Sequence, residues 1–181
     1  MKNFFIALFL ALTLLALSSG LLDSPELRAE YVEQQIGTWF ALSDDTDPQR
    51  PKTAFVAKSS FTRHVTKVAL DEATLHIGCE GLENFIFFDF DVPVKSVKGQ
   101  KFNAQYQFDE GKFNNANWRL TANTKALMVP NPEIFVRNLL KAKLLLVKVE
   151  KADDSGPIES YFNVSDLSES FDFVKKNCQW K

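Results

Sequence analysis

Little in this sequence resembles the machinery of an enzyme. It holds only two histidines, His64 and His76, and no serine lies in a Gly-x-Ser-x-Gly frame. A catalytic nucleophile needs a base within hydrogen-bond reach and an acid that orients that base. Lysine and arginine together number 21 against 23 acidic residues, so the charge excess expected of a nucleic-acid binder is also missing. We therefore expect no catalytic residues, no cofactor and no nucleic-acid partner.

Metal ligands at a recognisable spacing are scarce as well. Asp44, Asp45 and Asp47 offer oxygen atoms for calcium, but the EF-hand spacing and its bidentate glutamate are absent. Aspartate beside proline is typical of turns, and this accounts for the three residues as part of an acidic loop. We expect no metal site. The alternative for the loop, over residues 44–51, is a partner-binding element that acts through Asp44, Asp45 and Asp47.

Long apolar runs are limited to one, near the N-terminus. Lys2 supplies a positive start, residues 4–17 are apolar except for Thr13, and residues 18–20 are small. This combination predicts a secretory signal peptide over residues 1–20, and the run is shorter than the roughly 20 residues of a membrane span. An uncleaved N-terminal anchor is the alternative. With cleavage near residues 18–20, we expect an exported protein with no integral membrane segment.

Cysteine is rare, and the two that occur are predicted to pair. An isolated pair in an oxidising compartment most simply forms one disulfide, with two free thiols as the alternative. Residues 73–79 alternate so that Cys79 falls on an apolar face. Cys178 continues the apolar stripe of a predicted helix that starts at Asp166. Both cysteines therefore belong to buried faces, and the sequence predicts a Cys79–Cys178 bond that closes a loop of about 100 residues.

A period of two dominates the rest of the chain and sets the fold class. Residues 21–35 are interpreted as a lead-in, either a short helix over 24–35 or a flexible segment, before one domain over 36–181. Helices are predicted from Asn131 and from Asp166, each with a capping side chain. We expect a mainly β (α+β) domain: an antiparallel β-sandwich or strongly curved sheet of about eight strands, with two short helices on one side. The predicted strands cover residues 36–42, 55–61, 65–70, 73–79, 84–92, 101–108, 144–149 and 158–164.

Phenylalanine is abundant, at 17 residues. The segment 84–92 is apolar on both faces at its start, which predicts a central strand covered on both sides. Aromatic side chains of this kind fill the core of a small β domain or line a pocket for a small apolar ligand, and we favour the core. The residues concerned are Trp39, Phe85, Phe87, Phe88, Phe90, Phe102, Tyr106 and Trp118.

Several short motifs occur in a fixed order along the chain: Trp39 before the Asp-rich loop, Leu75-His76-Ile77-Gly78-Cys79, Tyr106-Gln107-Phe108-Asp109 with Trp118, the series Phe135, Leu139, Ala142 and Leu144, Tyr161-Phe162-Asn163-Val164, and Cys178-Gln179-Trp180. Their order resembles the VasI/TagO-type family of small periplasmic proteins associated with type VI secretion. The resemblance spans about residues 36–180 and implies a periplasmic location and a non-enzymatic accessory role. It supplies no catalytic residue.

Three hypotheses about function follow from the sequence. The first is a periplasmic accessory or binding protein that acts through an envelope or periplasmic protein, with exposed strand edges as the contact surface. The second is a periplasmic inhibitor or an immunity or exclusion protein, chromosomal or phage-borne, that blocks an envelope-targeted enzyme or system with the loop 44–51. The third is a carrier of a small apolar ligand.

Overall fold

The structure, a computed structural model, describes residues 31–47, 49–61, 73–95, 101–121 and 125–180, and of Lys101 only the backbone. The predicted signal peptide over 1–20, the predicted strand over 65–70 and His64 lie outside these ranges. None of the helices in the described ranges is both long and apolar enough to cross a membrane.

The described chain forms one antiparallel sheet of ten strands and two α-helices. The spatial order of the strands is β1-β2-β3-β4-β5-β8-β7-β6-β9-β10. Helix α1 covers Pro132–Leu139 and helix α2 covers Leu167–Asn177. The strands are β1 (Tyr31–Ile36), β2 (Trp39–Asp44), β3 (Thr53–Ser59), β4 (Ala73–Glu80), β5 (Glu83–Phe90), β6 (Lys101–Phe108), β7 (Asn114–Leu120), β8 (Ala126–Met128), β9 (Leu144–Glu150) and β10 (Pro157–Asn163).

The mainly β class is confirmed, but the predicted number of about eight strands is wrong. Strand β1 occupies the end of the segment 21–35 that was predicted as a helix or flexible lead-in. All six of its residues pair with β2 across a turn at Gly37 and Thr38, and Gly37 has φ +58°. Isolated short helices are marginal in water, so this pairing outweighs the weak helical spacing of the segment. Strand β8 has only three residues, too few to show a period.

The sheet is strongly curved around its core. Phe88 on β5 and Phe162 on β10 have ring centroids 5.6 Å apart, although four strands lie between β5 and β10 in the sheet. In a flat sheet these strands would lie about 24 Å apart. A single antiparallel bridge also joins Phe61, just beyond β3, to Tyr161 on β10. The inner faces of distant strands therefore meet and enclose one hydrophobic core.

Both helices cover the inner side of the sheet, as the sequence predicts. Helix α1 buries Phe135, whose ring contacts Phe88 and Trp118. Helix α2 packs on β2, β3 and β4 through a buried stripe of Leu167, Phe171 and Val174.

The predicted side-chain caps of the two helices are absent. Asn131 and Asp166 occupy the N-cap positions of α1 and α2, but neither side chain makes a capping hydrogen bond. At α2 the reason is visible, because the carboxylate of Asp166 bonds instead to residues far away in the sequence.

The strand order divides the sheet into two groups of hairpins. Strands β1 to β5 follow one another in sequence, whereas β8, β7 and β6 run in reverse order toward β9 and β10. The groups meet where β5 pairs with β8. That pairing comprises three residue pairs: Phe87–Met128, Phe88–Leu127 and Asp89–Ala126.

One disulfide joins Cys79, on the inner face of β4, to Cys178, directly after α2. The two Cα atoms are 5.7 Å apart and the two residues are 99 positions apart in sequence. Both cysteines are buried, with 1% and 8% of their surfaces exposed. The bond therefore fastens α2 to the interior side of the sheet.

Candidate interaction surface on the outer sheet face

The outer face of β2–β5 and β8 carries apolar side chains where solvent-facing polar residues would be usual. Directly opposed residues of antiparallel strands share a face and have neighbouring Cβ atoms. The register therefore sets two rows of side chains beside each other. The rows are Phe40–Ala57–His76–Phe87–Met128 and Leu42–Phe55–Gly78–Phe85. We call the partly exposed members Phe40, Leu42, Phe55, His76, Phe85, Phe87 and Met128 the outer aromatic face.

The rings of this face contact one another across strands. The His76 imidazole stacks on Phe87, with centroids 4.3 Å apart and planes 14° from parallel. It lies 5.5 Å from the Phe55 ring, and Phe85 lies 5.3 Å from Phe87. Four neighbouring rings thus form a continuous apolar surface across three strands.

His76 is neutral at physiological pH in this setting. Burial between the rings lowers its pKa to about 4, while the negative charge of Asp89 raises the pKa by a smaller amount. Since the imidazole carries no charge at neutral pH, the outer aromatic face is uncharged along both rows.

Gly78 lets β3 and β4 approach closely beneath this face. A Cβ atom at Gly78 would lie 2.1 Å from the backbone oxygen of Ala54 and 2.5 Å from Cβ of Phe55. Such distances do not occur between real atoms, so only glycine fits here. Phe55 lies directly opposite Gly78, in the second of the two rows.

The prediction that 84–92 is covered on both faces is wrong for the outer face. Ile86, Phe88 and Phe90 point inward and are fully buried, whereas Phe85 and Phe87 point outward and remain partly exposed. The physical reason is that both helices pack on the inner side. The outer phenylalanines of β5 are left to one another and to His76.

The inward aromatic residues pack as core. Phe88 stacks on Trp118 at 5.0 Å with nearly parallel rings.

A groove on another part of the sheet is polar instead of aromatic. It has a volume of about 440 Å³, lies on the outer face of β6, β7 and β9, and is lined largely by polar side chains, namely Asn103, Gln105, Asn115, Asn117, Lys148 and Glu150.

The acidic loop holds its carboxylates in local contacts. The Asp44 carboxylate accepts hydrogen bonds from the backbone and hydroxyl of Thr46, and these bonds lower its pKa. The Asp47 carboxylate forms an ion pair with the Arg50 guanidinium, and the Asp45 carboxylate lies 3.6 Å from the Lys52 ammonium. The described residues include no group of three or more histidine, cysteine or acidic side chains that could hold a metal ion. The contacts match the turn role, and a partner-binding role of the loop stays a prediction.

Asp166 connects the start of α2 to the β1–β2 turn. Its carboxylate accepts hydrogen bonds from the backbone N–H of Thr38 (3.1 Å), the hydroxyl of Thr38 (2.5 Å) and the indole N–H of Trp39 (2.9 Å). The ammonium of Lys58 lies 3.6 Å away. Burial raises the pKa of Asp166, but these hydrogen bonds and the Lys58 charge outweigh burial and lower it to about 2. Sequence reasoning saw only a helix cap, because the partners are 127 and 128 residues distant.

Replacing Asp166 by Asn is expected to lower the unfolding free energy at pH 7 by about 1 kcal/mol, less than the depressed pKa alone would give, because solvent screens this partly exposed carboxylate. A depressed carboxyl pKa stabilises the fold above the unfolded value near 4, and this contribution is lost as pH falls toward 2. The difference between wild type and D166N should therefore shrink across that interval in urea titrations at several pH values. Asp172→Asn on the exposed side of the same helix is the control. Parallel pH profiles for wild type and D166N would contradict this role.

Comparisons with known proteins show the fold of this chain and no more. No protein-family model matches it, and no curated protein does. The crystal structure of invasion associated protein B from Bartonella henselae is similar, with a TM-score of 0.52 over 80% of this chain and 96% of that one. The sequence identity is 14%, a level at which the likeness concerns the fold alone. The resemblance to the VasI/TagO-type family stays a prediction.

Proposed function

We propose that this chain is an exported, non-enzymatic binding protein that acts in the periplasm through a protein partner, and that the partner binds the outer aromatic face. The observation that carries the proposal is this contiguous set of part-exposed apolar side chains on a sheet face that neither helix covers. Apolar surface of this kind on a folded domain commonly marks an interaction site. Aromatic residues and methionine are also enriched at the centres of protein interfaces.

The chemistry of the face indicates the kind of partner. Its centre is uncharged at neutral pH because His76 is neutral. The row of side chains from Phe40 to Met128 continues into a polar residue at each end, Gln35 on β1 and Arg119 on β7. An apolar centre with a polar rim is the usual anatomy of a protein interface. We expect the partner to present an apolar surface bordered by polar groups.

The predicted signal peptide and the buried disulfide support export, since disulfides persist in oxidising compartments. The family resemblance supports the periplasm and an accessory role. The similar crystal structure carries the name of an invasion associated protein, and we transfer no activity from it.

The proposal predicts that Phe55→Thr with Phe87→Thr weakens partner binding by at least about tenfold, because buried interface aromatics dominate binding energy. Threonine keeps the strand preference of both positions. Crosslinking in the periplasm, followed by quantitative mass spectrometry, measures the partner recovered by each variant. Asn103→Thr with Asn117→Thr, in the polar groove on another part of the outer sheet surface, is the matched control and should bind like wild type.

Equal recovery by the aromatic and control variants, with both folded by circular dichroism, would refute the assignment of the face. If the recovered partner is an enzyme whose activity falls on binding, the inhibitor hypothesis applies instead. In that case replacing Asp44, Asp45 and Asp47 by Ala tests whether the loop 44–51 is the inserted element.

A further inference from the structure

Strand β1 forms one end of the sheet and offers backbone groups along its outer edge. The two-residue turn at Gly37 and Thr38 makes Ile36–Trp39 a hydrogen-bonded pair, and such pairs alternate along an antiparallel ladder. The backbone N–H and C=O groups of Tyr31, Glu33 and Gln35 therefore point away from β2. In the described part of the chain no backbone hydrogen bond from another segment reaches these groups.

At the opposite end of the sheet, the edge of β10 is partly paired with another segment of the chain. On β10, the N–H of Tyr161 donates to the backbone oxygen of Phe61 (3.3 Å), and the N–H of Phe61 donates to the backbone oxygen of Tyr161 (2.8 Å). Strand β1 carries one charged side chain, Glu33, but its sequence contains neither proline nor lysine and all six of its residues pair regularly with β2, so most of the usual protections of an edge are missing. Its edge is therefore suited to pairing with another strand.

We propose that the occupant of this edge is β1 of a second copy of this chain, paired antiparallel about a two-fold axis at Gln34. In this register Val32 opposes Ile36 of the second copy, and the symmetry produces this apolar pair twice. Glu33 opposes Gln35 of the second copy, so no two carboxylates meet. Glu33 and Gln35, whose backbone groups point away from β2, supply the N–H and C=O groups that form the hydrogen bonds between the two copies.

The two registers nearest to this one on the Glu33 side are less favourable for physical reasons. An axis at Glu33 would set two carboxylates directly opposite each other, and like charges in that position destabilise a strand pair. An axis between Glu33 and Gln34 would place the inner side of one β1 beside the outer side of the other. With the axis at Gln34, inner faces continue into inner faces. The two outer aromatic faces then lie on the same side of one continuous sheet.

A single cysteine tests this register on the exported chain with its native disulfide intact. The two Gln34 residues form a non-hydrogen-bonded pair, whose Cα atoms lie about 4.5 Å apart, within the range that a disulfide spans. We expect Gln34→Cys to form a covalent dimer under mild oxidation, read on a non-reducing gel. Glu33→Cys is the matched control, because it opposes Gln35 of the second copy, and it should give at least about tenfold less dimer.

Sedimentation equilibrium provides the independent measurement. The wild-type chain should dimerise, and Glu33→Pro should be monomeric, because proline removes an edge N–H and leaves the hydrogen bonds to β2 in place. Efficient crosslinking of Glu33→Cys instead of Gln34→Cys would overturn the register. A wild-type chain that stays monomeric into the high micromolar range, with neither variant crosslinking, would overturn the dimer. Neither result bears on the outer aromatic face, whose test is separate.

Discussion

Removal of the disulfide is expected to lower the unfolding free energy by about 4 kcal/mol in the variant Cys79→Ala with Cys178→Ala. The bond joins residues 99 positions apart, and in the chain-entropy model a loop of this length restricts the unfolded chain by roughly 4–5 kcal/mol. Domains of this size are stable by only about 5–15 kcal/mol in total. The double variant should therefore unfold at much lower urea concentration than wild type.

Urea unfolding followed by tryptophan fluorescence measures the effect. Wild type reduced under native conditions serves as the companion sample, because it lacks the bond but keeps both sulfur atoms. The two should show similar losses. A loss below about 1 kcal/mol in both would mean that the bond adds little to a scaffold already fixed by packing.

The second large effect is expected at Gly78. Alanine there would place a methyl group 2.1 Å from the backbone oxygen of Ala54, and a backbone atom in a paired strand cannot move aside without breaking the ladder. We expect Gly78→Ala to lower the unfolding free energy by about 3 kcal/mol or more, at the upper end of what overpacking produces.

Gly111→Ala is the control for this substitution. Gly111 lies in an exposed turn where a Cβ atom would meet only the backbone oxygen of Phe108, at 2.9 Å. Its effect should be clearly smaller than that of Gly78→Ala, because 2.9 Å falls only just short of a real contact and the exposed turn can shift without breaking a ladder. Soluble yield and the urea midpoint are the measurements for both variants. A midpoint for G78A within error of wild type would show that β3 and β4 separate readily at this point.

Local patterns were sufficient where one face of an element is buried. Leu75, Ile77 and Cys79 alternate on β4, and all three are buried. The stripe of α2 was predicted with its buried residues because the helical period is carried by large apolar side chains. The position of both cysteines followed from these two patterns.

The features that sequence reasoning missed depend on contacts between distant segments. Strand β1 exists because β2 lies beside it, and its own residues alone also fit a helix. The role of Asp166 depends on Thr38 and Trp39, which no short window of sequence connects to it. Phe85 and Phe87 of the outer aromatic face were read as interior, because a strand that is apolar on both sides does not reveal which side the helices cover.

The three residue pairs between β5 and β8 have a consequence for cooperativity. Helix α2 is fastened to the first group of strands by the disulfide and by Asp166, although it follows the second group in the chain. Residues 101–163, which lie between β5 and α2 in the sequence, join this tied group through β8, through the Phe61–Tyr161 bridge and through the shared core. Opening at the short β5–β8 ladder would also have to break that bridge and separate Phe88 from Phe162, so we expect the two groups of strands to unfold together.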